Sequence, residues 1–111
     1  MTASPIPAAI ERAAAGIAPV FTGTPIVRHD DVDTALGAEV VLKVETLGPI
    51  RSFKGRGADW YVRTRADHGA DPRAPLLCAS AGNFGQGLAW AARGAGVPCT
   101  VFAATTANPL K

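Results

Sequence analysis

Ile6, Ile10, Ala13 and Ile17 recur at helical spacing behind Ser4 and Pro5, a favourable N-cap and first-turn pair. They predict an N-terminal helix that Gly16 and Pro19 interrupt. Thr22-Gly-Thr-Pro25 reads as a turn into a short apolar piece. Glu39-Val-Val-Leu-Lys-Val44 is β-branched enough for a strand of about five or six residues, ended by Leu47-Gly48-Pro49. Between them, His29-Asp30-Asp31-Val32-Asp33 starts a short exposed helix; it lacks the ordered oxygen ligands and sharp glycine turn of a hard-cation loop, and no metal site is assigned. Ser52 can cap a further helix in which Phe53, Gly57, Trp60 and Tyr61 share a face, while Asp59 and Arg63 form an i,i+4 pair on another. Trp60 and Tyr61 are assigned to the core, and the helix frays near His68-Gly69, where His68 is solvated surface.

From Pro75 the pattern changes. Leu76 to Ala79 is a short continuous apolar run, Ser80-Ala-Gly-Asn83 a loop, and Phe84 to Arg93 a helix. Gly94-Ala-Gly96 stops that helix before the apolar run Cys99 to Ala103. Strand, helix and strand at this spacing form a βαβ unit with a parallel pair, so the class is α/β, a parallel sheet with flanking helices. Arg93 is the only charged residue between Pro75 and Leu110, the composition of parallel strands covered on both faces. Asp67 to Pro75 is the best boundary between lobes, dividing the chain into 1–74 and 75–111.

Composition narrows the function classes. Charged residues are 18% of the 111, below the ~25% usual for soluble domains, and hydrophobic residues are 48%. A chain this short buries only about 60–70% of its unfolded surface, so the deficit points to a truncated unit or a large partner interface. A net charge of +2 and 6% aromatics give neither a basic patch nor a stacking platform, which excludes nucleic acid. Cys78 and Cys99 have neither zinc-clamp nor disulfide-framework spacing and read as buried reduced thiols in a cytoplasmic protein. No secretory signal or membrane span is legible.

Two segments carry candidate chemistry. Ser52-Phe-Lys-Gly-Arg-Gly-Ala58 places Lys54 in the first turn of a helix, where the macrodipole is positive and a structural lysine is misplaced. Arg51 and Arg56 nearby would favour the neutral amine, the form that attacks carbonyls; the bland alternative is a surface basic cluster. Ser80-Ala-Gly-Asn-Phe-Gly-Gln-Gly87 follows a strand and opens a helix, where free backbone amides suit a carboxylate or phosphate. Its glycines follow G-x-x-G-x-G and not the dinucleotide G-x-G-x-x-G, and close packing alone could account for them.

Together and in this order, the two segments resemble the pyridoxal-phosphate enzymes of the tryptophan-synthase β-like fold (fold type II), particularly threonine and serine dehydratases. Thr24-Pro25, Lys43-x-Glu45, Ala91-Ala-Arg-Gly-Ala-Gly-Val-Pro98 and Asn108-Pro-Leu-Lys111 fall where that family has comparable pieces. The resemblance implies that Lys54 forms the covalent link to pyridoxal 5'-phosphate and moves the substrate's α-proton. It also implies that Phe53 packs beside the cofactor ring, Asn83 bonds its phenolic oxygen, and Ser80, Ala81, Gly82 and Asn83 grip the carboxylate of a small amino-acid substrate. Arg51 stands where many relatives carry Gly or His, and Phe84-Gly85 replaces a common His-Ala. Gly55 in place of Asp favours the dehydratase and racemase branch. A racemase, a β-replacement enzyme like threonine synthase, and a non-catalytic remnant or binding module stay open as alternatives. Family members are several-fold longer, and their phosphate-binding loop and pyridine-nitrogen partner lie downstream of Lys111. The resemblance thus implies an incomplete, N-terminal part of the fold, inactive alone, from a homo-oligomeric enzyme: 1–74 opens the large cofactor domain and 75–111 the small one.

Overall fold

The structure, a computed structural model, describes residues 6–110, so the Ser4-Pro5 cap and Lys111 lie outside the described residues. Helix α1 (Ile6–Gly16) follows the predicted periodicity, but none of its residues is buried. Pro19, read above as an interruption, opens a helical turn instead, α2 (Pro19–Thr22). Proline suits a first helical position because its missing N–H would have no partner there. The amide of Ala18, just ahead, donates to the buried carboxylate of Asp59 at 2.8 Å.

Strands β1 (Ile26–Val27) and β2 (Leu42–Lys43) pair antiparallel, with α3 (Asp30–Leu36) between them. The short exposed helix at His29 is as expected; His29 caps it by accepting from the Asp31 amide. The five- or six-residue strand over Glu39–Val44 is not. Asp33 draws Val40 out of the ladder, its Oδ1 accepting the Val40 amide at 2.7 Å, and only two residues pair. A single 3₁₀ turn, Glu45–Leu47, follows.

Helix α4 (Lys54–Thr64) carries the i,i+4 pair as predicted, Arg63 Nε donating to Asp59 at 2.8 Å, and runs into a 3₁₀ turn over Arg65–His68. Buried Arg65 donates to the carbonyls of Ala74 (3.0 Å) and Pro72, tying the end of α4 to the connector that follows. Strand β3 (Leu76–Ala79), α5 (Asn83–Gly94) and β4 (Cys99–Phe102) form the expected βαβ unit, with β3 and β4 parallel and Leu76 opposite Cys99.

The core lies where α4 and α5 pack together over this pair: Ala58 and Val62 from α4, Leu76 from β3, and Leu88, Ala91 and Ala92 from α5. Helix α5 covers one face of the pair; on the other, Leu77 and Phe102 are 66% and 60% exposed. Tyr61 does not join the core as its spacing predicted and is 52% exposed, whereas Trp60 is half-buried against Gly16 of α1. Among the described residues no helix is long and apolar enough to cross a membrane.

Candidate active site

Lys54 is the first residue of α4, and its position is fixed by the residues around it. Ile50 and Ser52 are both buried, and Ser52 Oγ accepts from the Lys54 amide at 3.3 Å. Arg51, between them, closes a turn by donating its amide to Gly48 O at 2.9 Å and has φ +54°. That left-handed value disfavours any residue with a Cβ.

Beneath the first turn lies Phe21, fully buried and edge-on to Trp90 at 4.8 Å between centroids. A Cβ on Gly55 would overlap the Phe21 ring, so glycine is needed for the lysine turn to rest on this floor. Lys54 Nζ stands 5.0 Å from the Phe53 ring centroid, within cation–π range.

The second motif is shaped by Ser80. Its Oγ accepts from the amides of Gly82 (3.3 Å) and Gly85 (3.0 Å), which folds the loop back onto the start of α5. Gly82, the N-cap, is extended and faces open space. One turn on, a Cβ at Gly87 would lie 3.3 Å from Lys54 O and 3.1 Å from Ile50 Cδ1. Glycine there lets the backbone of α5 approach the lysine turn directly.

The two motifs therefore meet. A cavity of about 550 Å³ is lined by Phe53, Lys54, Arg56, Gly57, Tyr61 and Phe84, the last from the first turn of α5. A second, of about 340 Å³, is lined by Ser80, Ala81, Gly82 and Gln86, closed by Val101 and Asn108. Asn83 stands between Gly82 and Phe84, which line one cavity each.

Charge is distributed differently from what sequence proximity suggests. Arg56 pairs with Glu45 and is no free cation beside Lys54, whereas Arg51 has no carboxylate partner among the described residues. Away from the site, burial and then the neighbouring Cys78 push the Cys99 thiol above its ordinary value. No group of three or more metal-capable side chains occurs among the described residues. Sequence reading missed Phe21, which nothing local distinguishes, and the pairing of Glu45 with Arg56. Lys43-x-Glu45 stood out as a motif, but its partner is decided by the fold.

Residues 17–111 match the family described as pyridoxal-phosphate dependent enzyme. The biosynthetic L-threonine dehydratase of Mycobacterium tuberculosis (strain ATCC 25618 / H37Rv) is 43% identical over 93 residues, covering 84% of this chain and 21% of that protein. The L-serine dehydratase/L-threonine deaminase of Homo sapiens is 36% identical over 92 residues, covering 83% and 27%. A crystal structure of a pyridoxal 5'-phosphate-dependent aspartate racemase superposes with a TM-score of 0.73 at 33% identity, covering 96% of this chain and 32% of that one. The chain thus spans about a fifth to a third of the length of these relatives.

Proposed function

The chain belongs to the pyridoxal-phosphate-dependent enzyme family and carries part of its tryptophan-synthase β-like fold, and on that premise we propose that the whole protein is an ammonia-lyase converting serine or threonine to a 2-oxo acid and ammonia. The supporting observation is the meeting of the two motifs: Lys54, Phe53 and Phe84 around one cavity, with the Ser80 loop and the amino end of α5 beside it. These residues fit the family's cofactor. A primary amine next to aromatic rings suits a planar aromatic aldehyde, and an open helix N-terminus suits an anion.

In this reading Lys54 holds the aldehyde covalently, Phe53 packs against the ring, and Asn83 donates to the ring oxygen. When bound, pyridoxal phosphate supplies an electron sink for the charge left on the substrate's α-carbon. Once the substrate's own amino group has taken its place on the aldehyde, the freed Lys54 amine would take the α-proton; the β-hydroxyl would leave as water, and hydrolysis would release the 2-oxo acid and ammonia. Ala81, Gly82 and Asn83, with the positive end of the α5 dipole, hold the substrate carboxylate, while Ser80 keeps the loop in shape. Residues 1–74 belong to the larger lobe and 75–111 to the smaller, the two sharing the core between α4 and α5, the protein is cytoplasmic with reduced thiols, and exposed Leu77 and Phe102 are covered within the whole protein or its homo-oligomer.

The test is 2-oxo acid release from L-serine and L-threonine by the whole protein, before and after Lys54→Ala. Loss of turnover together with the lysine-dependent visible absorbance is expected; retention of full turnover would remove Lys54 from the mechanism. The likeness to an aspartate racemase supports a second reading, α-proton exchange without loss of a substituent. Chiral analysis of the same incubations separates the two, because a racemase yields the opposite enantiomer and no ammonia.

A further inference from the structure

Three pieces that stand apart in the chain converge on one carboxylate. Thr24 Oγ1 donates to Glu45 Oε1 at 3.2 Å, and Arg56 Nη2 donates to the same oxygen in an ion pair. Thr24 is buried, and the Glu45 and Arg56 side chains are only 20% and 32% exposed. The surrounding backbone is fastened as well: Lys43 Nζ donates to Thr22 O (3.1 Å) and Thr24 O (2.7 Å), and Val44 N to Pro25 O (2.9 Å). Arg56 lies in the same helical turn as Lys54, and its amide donates to Phe53 O at 3.1 Å. Both Arg56 and Lys54 line the cavity described above.

We propose that Glu45 and Arg56 are positioning residues for Lys54: the ion pair anchors the lysine turn to the Thr24 loop and balances the positive charge of Arg56, which lines the same cavity. The proposal rests on the reading of Lys54 as the cofactor-bearing lysine. The charged and titratable groups around the lysine turn are few. On its own element and the approach to it stand Arg56, Arg51 and the phenol of Tyr61, which lines the same cavity, and from the β2 side Glu45, while Lys43 is spent on backbone carbonyls. Helix α5 contributes Phe84 and Gln86 near the site, and its single charged residue, Arg93, lies in its last turn.

A balanced pair next to an amine makes an electrostatic prediction that simple packing does not. Glu45→Gln leaves Arg56 uncompensated, which disfavours a protonated nitrogen at Lys54; Arg56→Gln leaves Glu45 uncompensated, which favours one. In the whole protein loaded with pyridoxal phosphate, the pH at which the visible absorbance changes should fall in Glu45→Gln and rise in Arg56→Gln, each by on the order of half a unit. The double variant and Arg56→Lys should return close to the parent. Should Glu45→Gln not fold, the Arg56→Gln and Arg56→Lys pair decides alone: loss of the charge should move the transition and its retention should not. Shifts of the same sign, or none, overturn the proposal even though the lysine-dependent absorbance persists. If Lys54→Ala leaves that absorbance intact, the underlying reading falls first and the proposal with it.

Discussion

Residues 6–47 and the unit made by α4, β3, α5 and β4 are held together by different forces. In the first, α1, β1, α3, β2 and the 3₁₀ turn Glu45–Leu47 have no buried residue, and Phe21 and Thr24 are its buried side chains among the described residues. Polar contacts do most of the fastening there: Arg28 to Asp33 and Glu39, Asp33 to Val40, and Lys43 to two carbonyls. The second unit has the contiguous apolar core and the parallel pair. Exposed ion pairs contribute little, roughly 0–1 kcal/mol each, so the first region depends on its few anchors, whereas the second rests on its apolar core. Lys54 sits at the seam and takes its position from both, with Phe21 and Glu45 on one side and Gly87 on the other.

Several changes would break or sharpen this contrast, all measured in the whole protein. Phe21→Ala removes the one large anchor and should cost about 3–5 kcal/mol in denaturant titration. Hydrogen exchange should show the loss concentrated in residues 18–47, with β3 and β4 largely protected. Leu88→Ala, in the core and 3% exposed, should cost about 2–5 kcal/mol and lower protection in both regions together. An equal pattern from the two variants would mean the regions unfold as one. Asp59→Asn weakens the tie between Ala18 and α4, an expected loss of about 1–3 kcal/mol felt chiefly in α1 and α2. Arg51→Gly relieves the left-handed backbone and should stabilise by about 1 kcal/mol, read as a small rise in Tm. The smallest effect is chemical: with its thiol pushed up by burial and by Cys78, Cys99 should alkylate more slowly at pH 8 than an exposed cysteine. Because the fold favours the protonated thiol, its contribution to stability is present below the unfolded thiol's range and declines as pH rises past it.

The same contrast explains what was legible in the chain. The βαβ unit could be read nearly to the residue because glycine, proline and apolar runs act locally there, and the structure places α5 at Asn83–Gly94 against an expected Phe84–Arg93. The N-terminal strand could not: β-branched residues over Glu39–Val44 promise a longer ladder, but Asp33, distant in pattern, takes the Val40 amide. At the site, the lysine turn and the Ser80 loop were visible as local motifs. Their floor and their charge balance were not, because Phe21, Gly55, Glu45 and Arg56 meet only after the chain has folded. Tyr61 failed for a related reason: helical spacing shows which residues share a face, and the neighbouring elements decide whether that face is covered.

The contact between Phe21 and Gly55 also provides a magnetic reporter. The hydrogens of Gly55 lie against an aromatic ring current, so their resonances should be displaced well away from ordinary glycine positions. A single pair of signals would then register, without any added label, whether the amino-terminal segment is seated under the lysine turn. That seating could be followed through cofactor loading and substrate turnover alike.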